Sequence, residues 1–281
     1  KFSSQKNKVV LTGDGADELF GGYNRYIFVN YYSKYIKKIP FNLRKKITNI
    51  LRGKGKNFVI FLFKFINVII RDNKQTEIAD RLDKFFNMIE SENENQLYSF
   101  LSKNNSSYSK IINQPTKDEL PFSNNQSEWP TEFMERDINN YLTNDILVKV
   151  DRSVMFSSLE TRASYLDQNL INFSNILPLN LKIKNSKKKY ILSELLKKLL
   201  PSYNFNYPKK GFSIPLDHLM KNELKDFTFN LLGNDEFYKD DFLNKDEIIN
   251  LFLEHQNNKK NNSHILWNLI VYFSWRQKYK I

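Results

Sequence analysis

The sequence predicts a mainly helical chain with one short strand near its start. Three observations carry this. Val9 to Thr12 reads as a strand that ends abruptly at Gly13. Four of the eight glycines, Gly13, Gly15, Gly21 and Gly22, fall within ten residues. Beyond Tyr23, apolar residues recur mostly at helical spacing.

The glycine cluster marks a loop with demanding backbone geometry. From about Asn24 to Leu101 the pattern is helical, as at Leu82, Phe85, Phe86 and Ile89. Asn104 to Trp129 is rich in Ser, Asn and Pro and reads as a loop. A helix is expected from about Asp137 to Ser158, because Leu142, Ile146, Val150 and Val154 recur every fourth residue. Pro178, Pro201, Pro208 and Pro215 punctuate the remainder of the chain. The last 20 residues, with Trp267, Leu269 and Trp275, read as an amphipathic terminal helix. No internal repeat is found. One lone strand needs neighbours for its backbone donors and acceptors. The missing strands are therefore expected upstream, with these 281 residues the C-terminal portion of something larger.

Composition excludes several functions. There is no cysteine, so disulfides, thiolate metal sites and a cysteine nucleophile are ruled out within the chain. The three histidines, His218, His255 and His264, stand far apart and do not suggest a metal site; His264 is read as a packing or capping residue. The net charge is +12, but the basic runs Arg44–Lys46 and Lys187–Lys189 sit in no nucleic-acid module. A solvated basic surface is the simpler reading. It remains compatible with attraction to anions such as ATP. The apolar run Phe58 to Ile70 is interrupted by Lys64 and Asn67 and falls short of the roughly 20 residues of a spanning helix. No signal pattern follows Lys1, and a cytoplasmic protein is expected.

The chemistry concentrates in Leu11-Thr12-Gly13-Asp14-Gly15-Ala16-Asp17-Glu18-Leu19-Phe20-Gly21-Gly22-Tyr23. A strand delivers a glycine-bracketed acid to its C-terminal end, where open α/β sheets bind ligands. Asp17 and Glu18 would open the next helix and suit its dipole. The plainer alternative is a turn followed by ordinary first-turn acids. Neither an EF-hand nor a P-loop fits the spacing.

Four ordered stretches resemble the glutamine-dependent asparagine synthetase family. They are the Thr12–Tyr23 loop, Asp145–Arg152 with Met155 running into Ser158–Arg162 and Leu166-Asp167, then Pro208–Phe212, and Leu266–Leu269 with Trp275. The resemblance implies the C-terminal part of an α/β, Rossmann-like synthetase domain related to the adenine-nucleotide α-hydrolases, spanning 1–281. It implies ATP and Mg2+, attack of an aspartate β-carboxylate on the α-phosphate, and displacement of AMP by ammonia. The ammonia would come from glutamine through an N-terminal amidotransferase segment, in cis or in trans. By the same resemblance Asp14 and Lys209 are catalytic, and Gly13, Asp14, Gly15 and Lys189 meet the nucleotide. Asp17, Asp145, Lys149 and Arg162 are candidates for the substrate pocket, each with a structural ion pair as its alternative. Asp151 and Arg152 are expected to hold helices together. No protein-held metal, nucleic acid or membrane is implied, and a homodimer is left open.

The pattern departs at Ala163-Ser164-Tyr165, where a Val-Pro-Phe-like segment is usual, and at Tyr207, where arginine is common. The chain has no Ser-Gly-Gly-x-Asp-Ser pyrophosphate loop, so it is not expected to make asparagine alone. Other readings remain: a ligase for another carboxylate, such as a surface-glycan sugar acid, or a non-catalytic binding module. The β-lactam-forming branch is more distant, because it carries tyrosine at the Asp14 position.

Overall fold

Backbone pairing near the start of the chain joins two strands rather than leaving one alone. The computed structural model describes residues 2–53, 85–102, 108–113, 128–202 and 214–280. In chain order the elements are β1 (Val9–Thr12), α1 (Ala16–Phe20), α2 (Asn24–Tyr31), α3 (Phe41–Arg52), α4 (Glu94–Ser102), α5 (Tyr108–Ile111), α6 (Trp129–Arg136), α7 (Leu147–Met155), β2 (Glu160–Ala163), α8 (Gln168–Ile176), α9 (Leu179–Lys182), α10 (Tyr190–Leu199), α11 (Leu216–Lys221), α12 (Lys225–Gly233), α13 (Lys245–Gln256) and α14 (Ser263–Tyr279). Contacts divide the chain into two units, Lys1–Ile39 with Pro121–Pro208, and Pro40–Leu120 with Lys209–Ile281.

In the first unit β1 and β2 pair in parallel, with Val9 opposite Glu160 and Thr12 opposite Ala163. The expectation of one strand followed by helices is corrected here. Glu-Thr-Arg-Ala has too few apolar residues to announce a strand, and long-range pairing with β1 supplies what local propensity does not. Side chains alternate across the sheet, so Val9, Leu11, Glu160 and Arg162 share one exposed face. Leu11 is 75% exposed. The core of this unit gathers Leu19, Phe20, Tyr26, Val29, Phe133 and Leu142, all buried.

The expected Asp137–Ser158 helix is present to Met155, but its first ten residues, Asp137–Ile146, take wider π turns before α7 begins. Along it Leu142 is buried and Ile146, Val150 and Val154 are half-buried, so the every-fourth-residue stripe is the inward face. Asp151 and Arg152 are exposed and make no ion pair among the described residues, so they do not tie helices together there. The expected helical stretch after Asn24 is broken by a π turn at Tyr32–Ile36 and by Pro40, which caps α3. Leu82 and the Phe58–Ile70 run lie outside the described residues. Of the expected Asn104–Trp129 loop, 104–107 and 114–127 lie outside them too. Tyr108–Ile111 is helical, and Trp129 opens α6 with Pro130 in its first turn. Among the described residues no helix is long and apolar enough to cross a membrane.

The second unit packs Met220, Leu232, Ile248, Leu266, Ile270 and Phe273 into one cluster. His255 lies fully buried within this unit. Its Nδ1 accepts the Asn262 backbone N–H at 3.3 Å, and Asp217 Oδ1 stands 4.0 Å from Nε2. Burial and the nearby Lys221 hold its pKa below the usual histidine value. The packing residue is thus His255, while His264 is exposed at the start of α14. Because the folded state favours the neutral ring, this contribution is present above about pH 6.5, the free histidine value, and is lost progressively as pH falls from there through the lowered folded-state value. The melting temperature is expected to drop between pH 7.5 and 5, and His255→Gln should flatten that dependence. An identical pH profile in the variant would show that other groups carry the acid sensitivity.

Candidate active site

The parallel pairing brings the C-terminal ends of β1 and β2 side by side. Gly13 to Gly15 leave β1 at that edge, and the Ser164–Leu166 turn leaves β2 beside them. Gly15 has φ +88°, and a Cβ there would overlap Leu166 Cδ2. Phe20 meets Tyr165 edge-on, with ring centroids 6.0 Å apart. The Ala163-Ser164-Tyr165 segment, where the sequence departs from the family pattern, therefore lies against the carboxylate loop.

Gly13 is open: a Cβ placed on it would find nothing within 4 Å. Asp14 is half-buried beside it. The Thr12 hydroxyl is buried and has no hydrogen-bond partner among the described residues. A buried hydroxyl in this condition, at a strand end beside an open backbone, is suited to a ligand's polar atom.

Lys189 reaches the loop from the other side. Asn185 and Ser186 adopt positive φ and reverse the chain between Lys184 and Lys187. This turn is steadied by Ser186 Oγ, 3.0 Å from Tyr31 Oη, and by Lys188 donating to Asn24 at 2.7 Å. Lys189 then takes a left-handed conformation at the start of α10. Its Nζ pairs with Asp17 Oδ1 at 2.9 Å. A Cβ on Gly22 would overlap both the Asp17 carboxylate and Lys189 Cε, so glycine makes room for this pair.

A buried polar network underlies the loop, and the motif pattern did not single it out. Glu18 is 1% exposed and accepts the Tyr23 hydroxyl at 2.5 Å. Burial pushes the Glu18 carboxyl up, and burial with the adjacent Glu18 charge pushes Tyr23 up as well. Asp137 is fully buried and accepts from Arg25 Nε at 2.8 Å and from Tyr26 Oη at 2.5 Å. The Arg25 guanidinium sits 4.4 Å from the Tyr23 ring centre and 5.2 Å from that of Tyr141. The only local signal was the Tyr-Asn-Arg-Tyr run after the glycines; its partner Asp137 is over a hundred residues away.

Asp145, Lys149 and Arg162 make their described ion pairs with other groups than the loop. Asp145 and Lys149 pair with each other at 3.7 Å, both exposed, and no hydrogen bond or ion pair among the described residues joins them to the loop. Arg162 pairs with Glu160 at 2.8 Å on the exposed face of the sheet. Lys209 and its Pro208–Phe212 stretch lie outside the described residues. Among the described residues no group of three or more acidic or histidine side chains is arranged to hold a metal. A cleft of about 510 Å³, lined by residues including Asn30, Lys34, Glu128 and Leu179, contains none of the loop residues.

The asparagine synthase family model matches residues 1–277. Asparagine synthetase [glutamine-hydrolyzing] 1 of Bacillus subtilis is 29% identical over 275 residues, which cover 95% of this chain and 40% of that protein. A putative asparagine synthetase [glutamine-hydrolyzing] of Mycobacterium tuberculosis (strain H37Rv) is 26% identical over 277 residues, covering 95% of this chain and 39% of that protein. The chain thus spans about two-fifths of the length of these relatives. No solved structure matches it. Matched by the family model from its first residue to residue 277, and carrying the glycine-bracketed carboxylate loop at the ends of paired parallel strands, the chain belongs to the asparagine synthase family.

Proposed function

We propose that this chain is the synthetase portion of an ATP-dependent carbon–nitrogen ligase that activates the aspartate side-chain carboxylate as its adenylate and passes it to ammonia. The observation that carries the reading is the open backbone at Gly13, followed by the half-buried Asp14, at the C-terminal edge of two parallel strands, the edge at which Rossmann-like sheets receive nucleotides.

The chain's own groups have distinct tasks in this reading. The Gly13–Gly15 backbone and the Thr12 hydroxyl meet the nucleotide. Asp14 takes the proton released when ammonia attacks the acyl carbon. Lys189 and Lys209 supply positive charge for the phosphates as charge moves onto pyrophosphate. Mg2+ commonly binds through one or two carboxylates plus phosphate oxygens. Asp17 Oδ1 is already paired with Lys189, so the ion would enter with the ATP phosphates and neutralise their charge, and Asp17 is proposed for the substrate pocket. Asp145, Lys149 and Arg162 are proposed as contributors to the substrate pocket of the longer enzyme. Glutamine-derived ammonia would come from an amidotransferase segment outside this sequence.

A second reading rests on one observation. Tyr165, in the segment where the sequence departs from the family, meets Phe20 of the loop stretch edge-on, so an acceptor carboxylate other than aspartate is the alternative. The test is carboxylate-dependent pyrophosphate release from ATP, with a panel of acids, by this chain together with a relative's upstream segment. Aspartate is expected to give the fastest release, and the chain alone none. Asp14→Asn and Lys209→Ala should each lower the rate by about 100-fold or more, the range for a lost electrostatic contact in acyl transfer. Undiminished rates in both variants would remove the site assignment, and preference for another acid would favour the second reading.

A further inference from the structure

Four polar side chains in the first unit line one cleft, and the catalytic reading gives none of them a task. They are Asn30 at the end of α2, Lys34 in the π turn after it, Glu128 just before α6, and Asn180 in α9. All four belong to the same compact unit. The cleft holds about 510 Å³, within the range of about 300–1,000 Å³ usual for small-molecule sites. Leu179 and Ile183 give it an apolar wall. Ile183 also stands against Gly21, so the cleft adjoins the glycine loop while containing none of its residues.

Among the described residues none of these four side chains makes a hydrogen bond or an ion pair. Glu128 precedes α6, yet its carboxylate does not cap that helix. Lys34 and Glu128 carry opposite charges into one cleft, and no ion pair joins them. Two such charges select their ligand. A purely anionic ligand would be repelled by Glu128, and a purely cationic one by Lys34. A ligand with both charges is met at each. The two lining charges cancel, so the ligand that suits the cleft is neutral overall. The Asn30 and Asn180 carboxamides each donate and accept, which matches a third carboxamide.

We propose that this cleft binds a free α-amino acid with a carboxamide side chain, asparagine or glutamine. Lys34 donates to its α-carboxylate, and Glu128 accepts from its α-ammonium group, both as charge-assisted hydrogen bonds. Asn30 and Asn180 exchange hydrogen bonds with the side-chain amide. Leu179 and Ile183 cover the methylene stem.

This inference does not depend on the catalytic reading. Its test is calorimetric titration of the full 281-residue chain with L-asparagine and, separately, with L-glutamine. At least one is expected to bind with a Kd of about 1 mM or tighter. L-aspartate should bind at least about tenfold more weakly, because its extra charge unbalances the cleft. Lys34→Met and Glu128→Gln, both at exposed positions, should each weaken binding by about tenfold or more, the worth of one hydrogen bond to a charged group. Succinamate, which is asparagine without its ammonium group, tests the same contact from the ligand side. It should bind the unaltered chain about tenfold more weakly than asparagine and be no weaker with Glu128→Gln. Asp14→Asn should leave the affinity for the amide amino acid unchanged. No binding of either amino acid at about 10 mM would overturn the proposal. So would equal affinity for aspartate, or binding unaffected by both the Lys34 and Glu128 substitutions. Loss of binding in Asp14→Asn would also overturn it, by putting the amino acid at the carboxylate loop.

Discussion

Asp137→Ala is expected to lower the unfolding free energy by about 3 to 5 kcal/mol, the range for removing one partner of a buried ion pair. The side chain is fully buried, and its carboxylate is the shared acceptor for Arg25 and Tyr26. Taking it away removes the carboxylate from a guanidinium held against Tyr23 and Tyr141 and from a tyrosine hydroxyl held well inside the protein. Two controls separate charge from hydrogen bonding. Asp137→Asn keeps an acceptor and loses only the charge, so its cost should fall below that of alanine. Tyr26→Phe removes one hydrogen bond and should cost about 1 kcal/mol. The measurement is denaturant unfolding of each variant at neutral pH. If alanine and wild type unfold together, the network does not stabilise the fold, and its role would have to be sought in ligand binding instead.

Gly21→Ala is expected to cost about 2 to 5 kcal/mol for two combined reasons. Gly21 sits at φ +73°, where an L side chain costs roughly 1–2 kcal/mol. Its added Cβ would also lie 2.8 Å from Ile183 Cγ1 and 2.9 Å from Met134 Cε, and relieving such crowding in a packed core costs about 1–3 kcal/mol. Gly22→Ala makes the informative contrast. Its Cβ meets the ends of the Asp17 and Lys189 side chains, which can move, so the ion pair should break while the fold loses less. Surface pairs contribute up to about 1 kcal/mol, and this one is half-buried. Melting temperatures of the two variants, side by side, should therefore rank Gly21→Ala well below Gly22→Ala. The reverse order would show that the Asp17–Lys189 contact, and not the left-handed turn, holds the loop.

The loop places open and buried residues within one short stretch. Glu18 and Tyr23 lie within the same short motif as Asp14, yet their hydrogen bond ties a buried carboxylate to a half-buried tyrosine while Gly13 stays open. Substitutions a few residues apart should thus report on different properties. Asp17 illustrates the overlap, because it is at once a loop carboxylate and the partner of Lys189.

Sequence alone determined the features that depend on neighbours along the chain. The β1 run and its abrupt end at Gly13 follow from a short apolar stretch meeting a residue with no side chain. The inward stripe of Leu142, Ile146, Val150 and Val154 follows from helical periodicity, which survives even where the turns widen. The family membership follows from motif order, since four stretches in sequence carry more information than any one of them. Tertiary structure decided the features that depend on residues far apart. β2 exists because Glu160–Ala163 finds β1, and nothing in its composition announces a strand. Lys189 meets Asp17, and Asp137 meets Arg25, across more than a hundred residues of chain. The two faces of α14 look alike in a hydrophobic pattern, and only packing shows which one is buried and which is exposed. In each case the deciding energy comes from burial and from pairing between distant segments, which local propensity does not encode.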